Sequence, residues 1–338
     1  MAGLRRVRPR SQCTDVAAAA AAVAPAAAIP LDRALVRASI ILRRRVPRIA
    51  YNPSPTGDTR RMRVPVLTYH SNNISGNDYA SNDHIALAAD LRAIHRAGLR
   101  IVPLALVVKA LLGVVPQSQV ENAVALSFDD GSWFDWHDMQ HPTFGRQRGF
   151  AGVLRDFAAE TGAPVHATSF VIVSPAARET LDRTCLAGCG WWGDEWWLQA
   201  QREGTLAIES HSWDHNHDTL AETAQREQRK GTFRTIDTWA DADAEIRQAA
   251  DWLDARCAPH RATLFAYPYG ESNAYLVEDY FPHHASQHRV RAAFGTEPHP
   301  IEASNARWTL PRYVCGQHWT DPAALEGLLK EATGRSRR

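Results

Sequence analysis

A chain of 338 residues with 45% hydrophobic and 22% charged side chains can bury the core of one large α/β domain or of two ordinary ones. Its formal net charge of +1 excludes a global attraction for nucleic acid or an anionic membrane, and no run of arginines interleaves with aromatics as a nucleic-acid groove demands. Five cysteines at irregular spacing exclude a disulfide framework, although Cys185 and Cys189 are close enough to pair or to share a metal.

Residues 1–60 read as an extension. Arg5, Arg6, Arg8 and Arg10 precede an alanine-rich run at 16–29, which resembles the basic and apolar regions of an export signal. Asp15, Pro25 and the weak hydrophobicity of alanine favour a disordered low-complexity segment equally well. Extracytoplasmic, cell-envelope and cytoplasmic locations all stay open. The run is too short and too weakly apolar to span a membrane, so no stable insertion is expected.

From residue 61 to 335 strands and helices alternate, the pattern of one domain built from parallel βα units. An apolar run at 64–70 reads as a strand, with Pro65 tolerable near its start. Asp83 caps a helix in which Leu87, Leu91 and Ile94 recur at helical spacing; Gly98 closes it, and a short strand follows at 99–102. The run at 124–128 is continuously apolar, as befits a strand covered on both faces. A tryptophan-bearing loop at 132–149 leads to a helix at 150–160 and a strand at 167–173. A helix at 196–203 and a strand at 206–210 come next, then a long helix marked by Ile246, Ala249, Ala250 and Leu253. Strands at 264–267, 291–294 and 307–310 precede a last helix at 322–333, where Pro322 suits the first helical position.

Three of these strands end in residues that carry chemistry, and in a parallel barrel such ends share one mouth. The 124–128 strand stops at Asp129, Asp130 and Gly131, a common turn that also sets two carboxylates at that mouth. The 206–210 strand stops at His211, with His215 four residues on. One helical turn would put both imidazoles on one face, the spacing of paired metal ligands. One aspartate and two histidines meeting there suit zinc, and equally cobalt, nickel or iron. The 264–267 strand runs into Pro268, Tyr269 and Gly270, a rigid turn whose backbone N–H can face a developing oxyanion.

Ser-Phe-Asp-Asp-Gly at 127–131, His-Ser-Trp-Asp-His at 211–215 and Phe-Ala-Tyr-Pro-Tyr-Gly at 265–270, in that order, resemble the motifs of the polysaccharide deacetylase family (NodB homology domain, carbohydrate esterase family 4). The 64–70 strand resembles the family's opening strand, and the resemblance extends to residue 333. It implies an α/β fold, a distorted (β/α)7-type barrel. It further implies a metal-dependent hydrolase that removes N-acetyl groups from amino-sugar units of a poly- or oligosaccharide. Carried over residue by residue, it implies Asp129 as general base and Asp130, His211 and His215 as ligands of one divalent ion. The backbone N–H of Tyr269 would be an oxyanion donor, and the implied partner is a carbohydrate bearing N-acetyl groups.

Two features depart from the family pattern. Ala266 stands where many members carry an arginine that orients the base; Arg312, in Leu310-Pro311-Arg312, is the residue that can supply the guanidinium instead. The late Leu-x-His motif that provides a general acid is missing. His318 is the nearest candidate, with His217, His137 and Asp194 behind it, and Trp308 is the nearest aromatic to the missing aspartate–tryptophan motif. Trp191, Trp192, Trp196 and Trp197 suit either a sugar-stacking surface or a packed core, while Trp133 and Trp136 are better placed to touch a ligand. Two rival functions keep the same barrel: hydrolysis of a small non-sugar amide, and carbohydrate binding without catalysis.

Overall fold

The computed structural model describes residues 62–334; the expected extension at 1–60 lies outside them. Seven strands form the central sheet: β1 (Val66–His70), β2 (Ala123–Asp129), β3 (Ala167–Val171), β4 (Leu206–Ser210), β5 (Leu264–Ala266), β6 (Ala292–Phe294) and β7 (Tyr313–Val314). Their order in space is β6-β5-β4-β3-β2-β1-β7 and every pairing is parallel. The short strand Arg100–Ile101 adds to the start of β2.

Residues 310–314 touch both edges of this curled sheet. Leu310 bridges Phe294 on β6, while Tyr313 and Val314 pair with Leu67 and Thr68 on β1. The barrel is therefore joined at β6 by one bridge rather than a full ladder, which is its distortion. The expected strand at 307–310 is displaced to 313–314, because Trp308 is drawn into packing. Its ring stacks on Phe281 at 5.1 Å and its carbonyl accepts from the Tyr267 hydroxyl at 2.8 Å.

The period of two along β2 explains its composition. Val124, Leu126 and Phe128 pack outward in a cluster with Leu87, Leu91 and Ile94 of α1 (Asp83–Arg96) and with Phe150, Leu154 and Phe157 of α2 (Phe150–Thr161). Ala123 and Ala125 belong instead to the cluster of Phe170, Ala266, Phe294 and Leu310. Ser127 and Asp129 share that inner face. Small side chains below and a carboxylate above leave room inside the barrel for one large polar group.

Further helices are α3 (Pro175–Cys185), α4 (Trp197–Glu203), α5 (Gln248–Arg256) and α6 (Pro322–Ala332). Asn82, not Asp83, caps α1 by accepting from His84 N–H. The Asp83 carboxylate turns to the barrel mouth, where it accepts from His70 N–H and Asn73 Nδ2, both at 2.8 Å. Helix α3 escapes the apolar-periodicity reading although Ser174 caps it and Pro175 opens it. No helix among the described residues is long and apolar enough to cross a membrane.

Candidate metal centre and its pocket

At the end of β2 the backbone turns left-handed twice, at Asp130 (φ 76°) and Gly131 (φ 73°). A Cβ on Gly131 would fall 2.9 Å from the Val171 Cα, so the turn closes against β3 only with glycine there. Three donors hold Asp130. Its carbonyl accepts from Ile172 N–H at 3.2 Å and from the Trp192 indole at 3.1 Å, and Asn72 Nδ2 donates to Oδ2 at 3.1 Å. Oδ1 is left facing two imidazoles, 3.6 Å from His211 Nε2 and 3.8 Å from His215 Nε2.

The two histidines do not share a helix. Residues 211–217 form bends and turns, with Ser212 at φ 70° and His215 at φ 66°. Local side-chain bonds replace the helical ladder here. Ser212 Oγ accepts from His215 N–H at 2.9 Å, and Asp214 Oδ1 accepts from Asn216 N–H at 2.9 Å. The loop is braced from behind by Glu245, whose Oε2 lies 3.2 and 3.3 Å from the N–H groups of Trp213 and Asp214. The spacing of four is kept, but a capped turn rather than a helical face aims the rings.

One carboxylate and two imidazole nitrogens thus lie within 4.8 Å of one another. His211 Nδ1 faces the Ala266 carbonyl at 2.9 Å, which fixes the proton there and leaves the Nε2 lone pair pointing inward. Burial, then repulsion from His211 and His217, holds the His215 imidazole well below its ordinary pKa, so it is neutral. A donor set of two imidazole nitrogens and one carboxylate oxygen, carried on the loops after β2 and β4, fits a divalent ion.

Asp129 has different company. Arg312 enters the barrel interior with no exposure and meets it bidentately, Nη1 to Oδ1 at 2.7 Å and Nη2 to Oδ2 at 2.8 Å. Arg312 Nε donates to the Gly295 carbonyl at 3.0 Å, so the fork is held from both ends. Burial would raise the Asp129 carboxyl, but the guanidinium outweighs it, with help from His211, and holds it well below the usual carboxylate range. Six residues on, burial pushes the Asp135 carboxyl up to about 7 against hydrogen bonds from Ser169 and Ser71, both at 2.5 Å.

Asp129, Asp130, His211 and His215 line a pocket of about 270 Å³ together with His70, Asn72, Trp192, Cys185, His217 and Tyr269. Tyr269 sits at φ 59° in the Pro268–Gly270 turn, its ring 4.5 Å from that of His215. His70 was not singled out from the sequence; it is the register partner of Asp129 across β1 and β2. The signal that could have found it is its place at the end of the 64–70 strand, the kind of position that marks Asp129 and His211.

Several expected residues lie elsewhere. His318 does not line the pocket, although Gln317 does; its Nδ1 accepts from Val314 N–H at 2.7 Å, because the loop folds the ring back on β7. His137 lines a separate cleft with Trp136 and Asp138. Asp194 is ion-paired to Arg178 at 3.1 Å and Arg256 at 2.5 Å. Trp196 and Trp197 are buried, and Trp136 stacks on Trp196, so neither Trp133 nor Trp136 lines the pocket while Trp192 does. Buried Arg178 donates to the Trp192 carbonyl at 2.8 Å and so fixes the indole that holds Asp130.

Similar folds occur in solved structures. The chain superposes on the Streptococcus pyogenes deacetylase PplD in complex with acetate with a TM-score of 0.53, at 16% identity over 80% of this chain and 99% of that one. A de-N-acetylase from Aggregatibacter actinomycetemcomitans gives 0.53 at 14% identity over 79% and 99%. IcaB from Ammonifex degensii gives 0.51 at 17% identity over 80% and 97%. No curated protein sequence matches the chain. Residues 117–282, which hold the Asp-Asp-Gly turn, the histidine loop and the Pro268–Gly270 turn, match the model of the polysaccharide deacetylase family.

Proposed function

We propose that the protein is a metal-dependent hydrolase that removes N-acetyl groups from the amino-sugar units of a poly- or oligosaccharide. The observation that carries this reading is the convergence, in one pocket, of the Asp130–His211–His215 donor set and a second carboxylate clamped by an arginine. Asp130, His211 and His215 would hold a divalent ion, zinc before cobalt, nickel or iron, which when bound would supply a nucleophilic water near neutral pH and polarise the acetyl carbonyl.

Asp129 takes the proton from the attacking water. Arg312 keeps that carboxylate ionised and correctly turned, at some expense of basicity. The backbone N–H of Tyr269, aimed by a turn that only a left-handed residue allows, faces the negative charge growing on the carbonyl oxygen. The departing amine needs a proton, and His70, on the strand beside Asp129, is the pocket imidazole outside the donor set best placed to give it. Trp192 offers an apolar face to the sugar or its acetyl methyl.

A binding module without catalysis has no use for an arginine-clamped carboxylate beside its ion. The test is acetate release from N-acetylglucosamine oligomers compared with small non-sugar amides, with chelator inactivation and metal rescue. Turnover of the amides alone replaces the sugar substrate with the rival one, and activity indifferent to chelation sinks the metal-dependent mechanism.

A further inference from the structure

Outside the proposed machinery, the pocket wall carries a thiol and an imidazole that the reaction does not use. Cys185 is the last residue of α3, exposed, and its Sγ lies 3.9 Å from His217 Nε2. Both side chains line the catalytic pocket. Their separation suits two ligands of one ion, since Zn–S and Zn–N bonds of about 2.3 and 2.0 Å at a tetrahedral angle put S and N roughly 3.5 Å apart.

The surroundings of His217 resemble those of a ligating histidine. Its Nδ1 lies 3.1 Å from Asp218 Oδ1 and 3.0 Å from Thr219 Oγ1, two oxygens able to accept a proton carried on Nδ1. Thr219 N–H donates to Nδ1 at 3.3 Å, so a cation on Nε2 exchanges that bond for a proton on Nδ1 facing Asp218 and Thr219 Oγ1. A proton on Nδ1 leaves the Nε2 lone pair directed at Cys185. A carboxylate behind the imidazole and an open coordination direction in front is how metal-binding histidines are usually held.

We infer that Cys185 and His217 form a second cation site, distinct from Asp130–His211–His215, which takes a thiophilic divalent ion such as zinc on the wall of the same pocket. Water completes its coordination, and the Cys185 thiol gives up its proton to solvent on binding. The ion would stand beside His215, whose ring centre is 5.7 Å from that of His217, and so in the path of substrate. Excess zinc then inhibits. Inhibition through this site presupposes the hydrolysis proposed above; cation binding does not.

Cobalt titration of the purified full chain separates the two. The carboxylate–imidazole set contains no sulfur, so a near-ultraviolet thiolate-to-cobalt charge-transfer band reports the second site alone. We expect the band in the wild type, its loss in Cys185→Ser, and about tenfold weaker cobalt affinity in Asp218→Asn. Both substitutions are at exposed positions, and circular dichroism checks that each variant is folded. A band that survives Cys185→Ser, or no band in the wild type, overturns the site. Where acetate release is measurable, zinc inhibition should shift to higher concentration in Cys185→Ser; equal inhibition in both proteins overturns the blocking role.

Discussion

Asp129 and Arg312 stand on one side of the pocket at 4% and 0% exposure, tied to each other and, through Gly295, to the loop after β6. On the other side Cys185, His217 and Tyr269 hang from a helix end and two loops, and Tyr269 is 41% exposed. The inner side is fixed by burial and charge pairing, where removing either partner strands a charge in a medium that solvates it poorly. The outer side is wet and adjustable, where a change alters what enters. The chemistry should therefore fail abruptly on the inner side and drift on the outer one.

The largest effect is expected at the donor set: His211→Ala should lose bound metal and turnover together, measured by metal analysis and acetate release. Next comes Asp129→Asn, which should lower turnover by about 10²–10⁴-fold while metal content holds; full activity in this variant removes Asp129 as the base. Arg312→Ala should unfold at lower denaturant, by about 3–5 kcal/mol, because it leaves a buried carboxylate alone. It should also lose far more turnover than metal, and Arg312→Lys should not restore it, since an ammonium cannot reproduce the two-pronged contact.

A smaller effect belongs to Trp192, which borders both sides. Trp192→Phe keeps the packing but removes the indole donor to Asp130, and should weaken ion affinity by about tenfold in a metal titration. Unchanged affinity would mean that Ile172 N–H and Asn72 Nδ2 suffice to hold Asp130.

The smallest effect is one of pH. Asp135 has a folded-state pKa raised by burial to about 7, above its unfolded value of about 3.9. Its contribution to stability is complete below the lower value and is lost as pH rises through about 7. Burial raises Asp90 to about 6 and Glu209 to about 8, in the same direction. Burial holds His166 and His288 down at about 4, which opposes this loss below the free histidine value of about 6.5. The urea midpoint should therefore decline between about pH 6.5 and 8, and Asp135→Asn should flatten part of that decline. An identical slope in the variant would assign the effect elsewhere.

The fold was legible where periodicity was strong, as in the 124–128 run and the Leu87–Leu91–Ile94 stripe. It was not where packing overrode pattern, as at Trp308. Asp129, Asp130, His211 and His215 announce themselves because strand ends and a spacing of four are local features. His70 ends its strand in the same way, but its nearness to Asp129 depends on β1 lying beside β2. The histidine pair invited a helix because the spacing alone does not distinguish a helical turn from one capped by Ser212 and Asp214. The guanidinium reaching Asp129 could be named from the gap at Ala266, but its two-pronged grip required the barrel interior to be seen.

The segment 310–314 has a consequence for how the protein is made. Arg312 and Asp129 are 183 positions apart in the chain, and the segment that carries the arginine is also the one that touches both sheet edges. Contacts of such long sequence separation form late and slowly. During synthesis from the amino terminus, a nascent chain that has emerged as far as β6 holds all three donor side chains, Asp129 and His70. It nevertheless lacks the guanidinium, and its sheet edges are unjoined. A chain that has emerged only as far as β6 can thus gather the parts of the proposed ion site before the guanidinium that clamps Asp129 has been added.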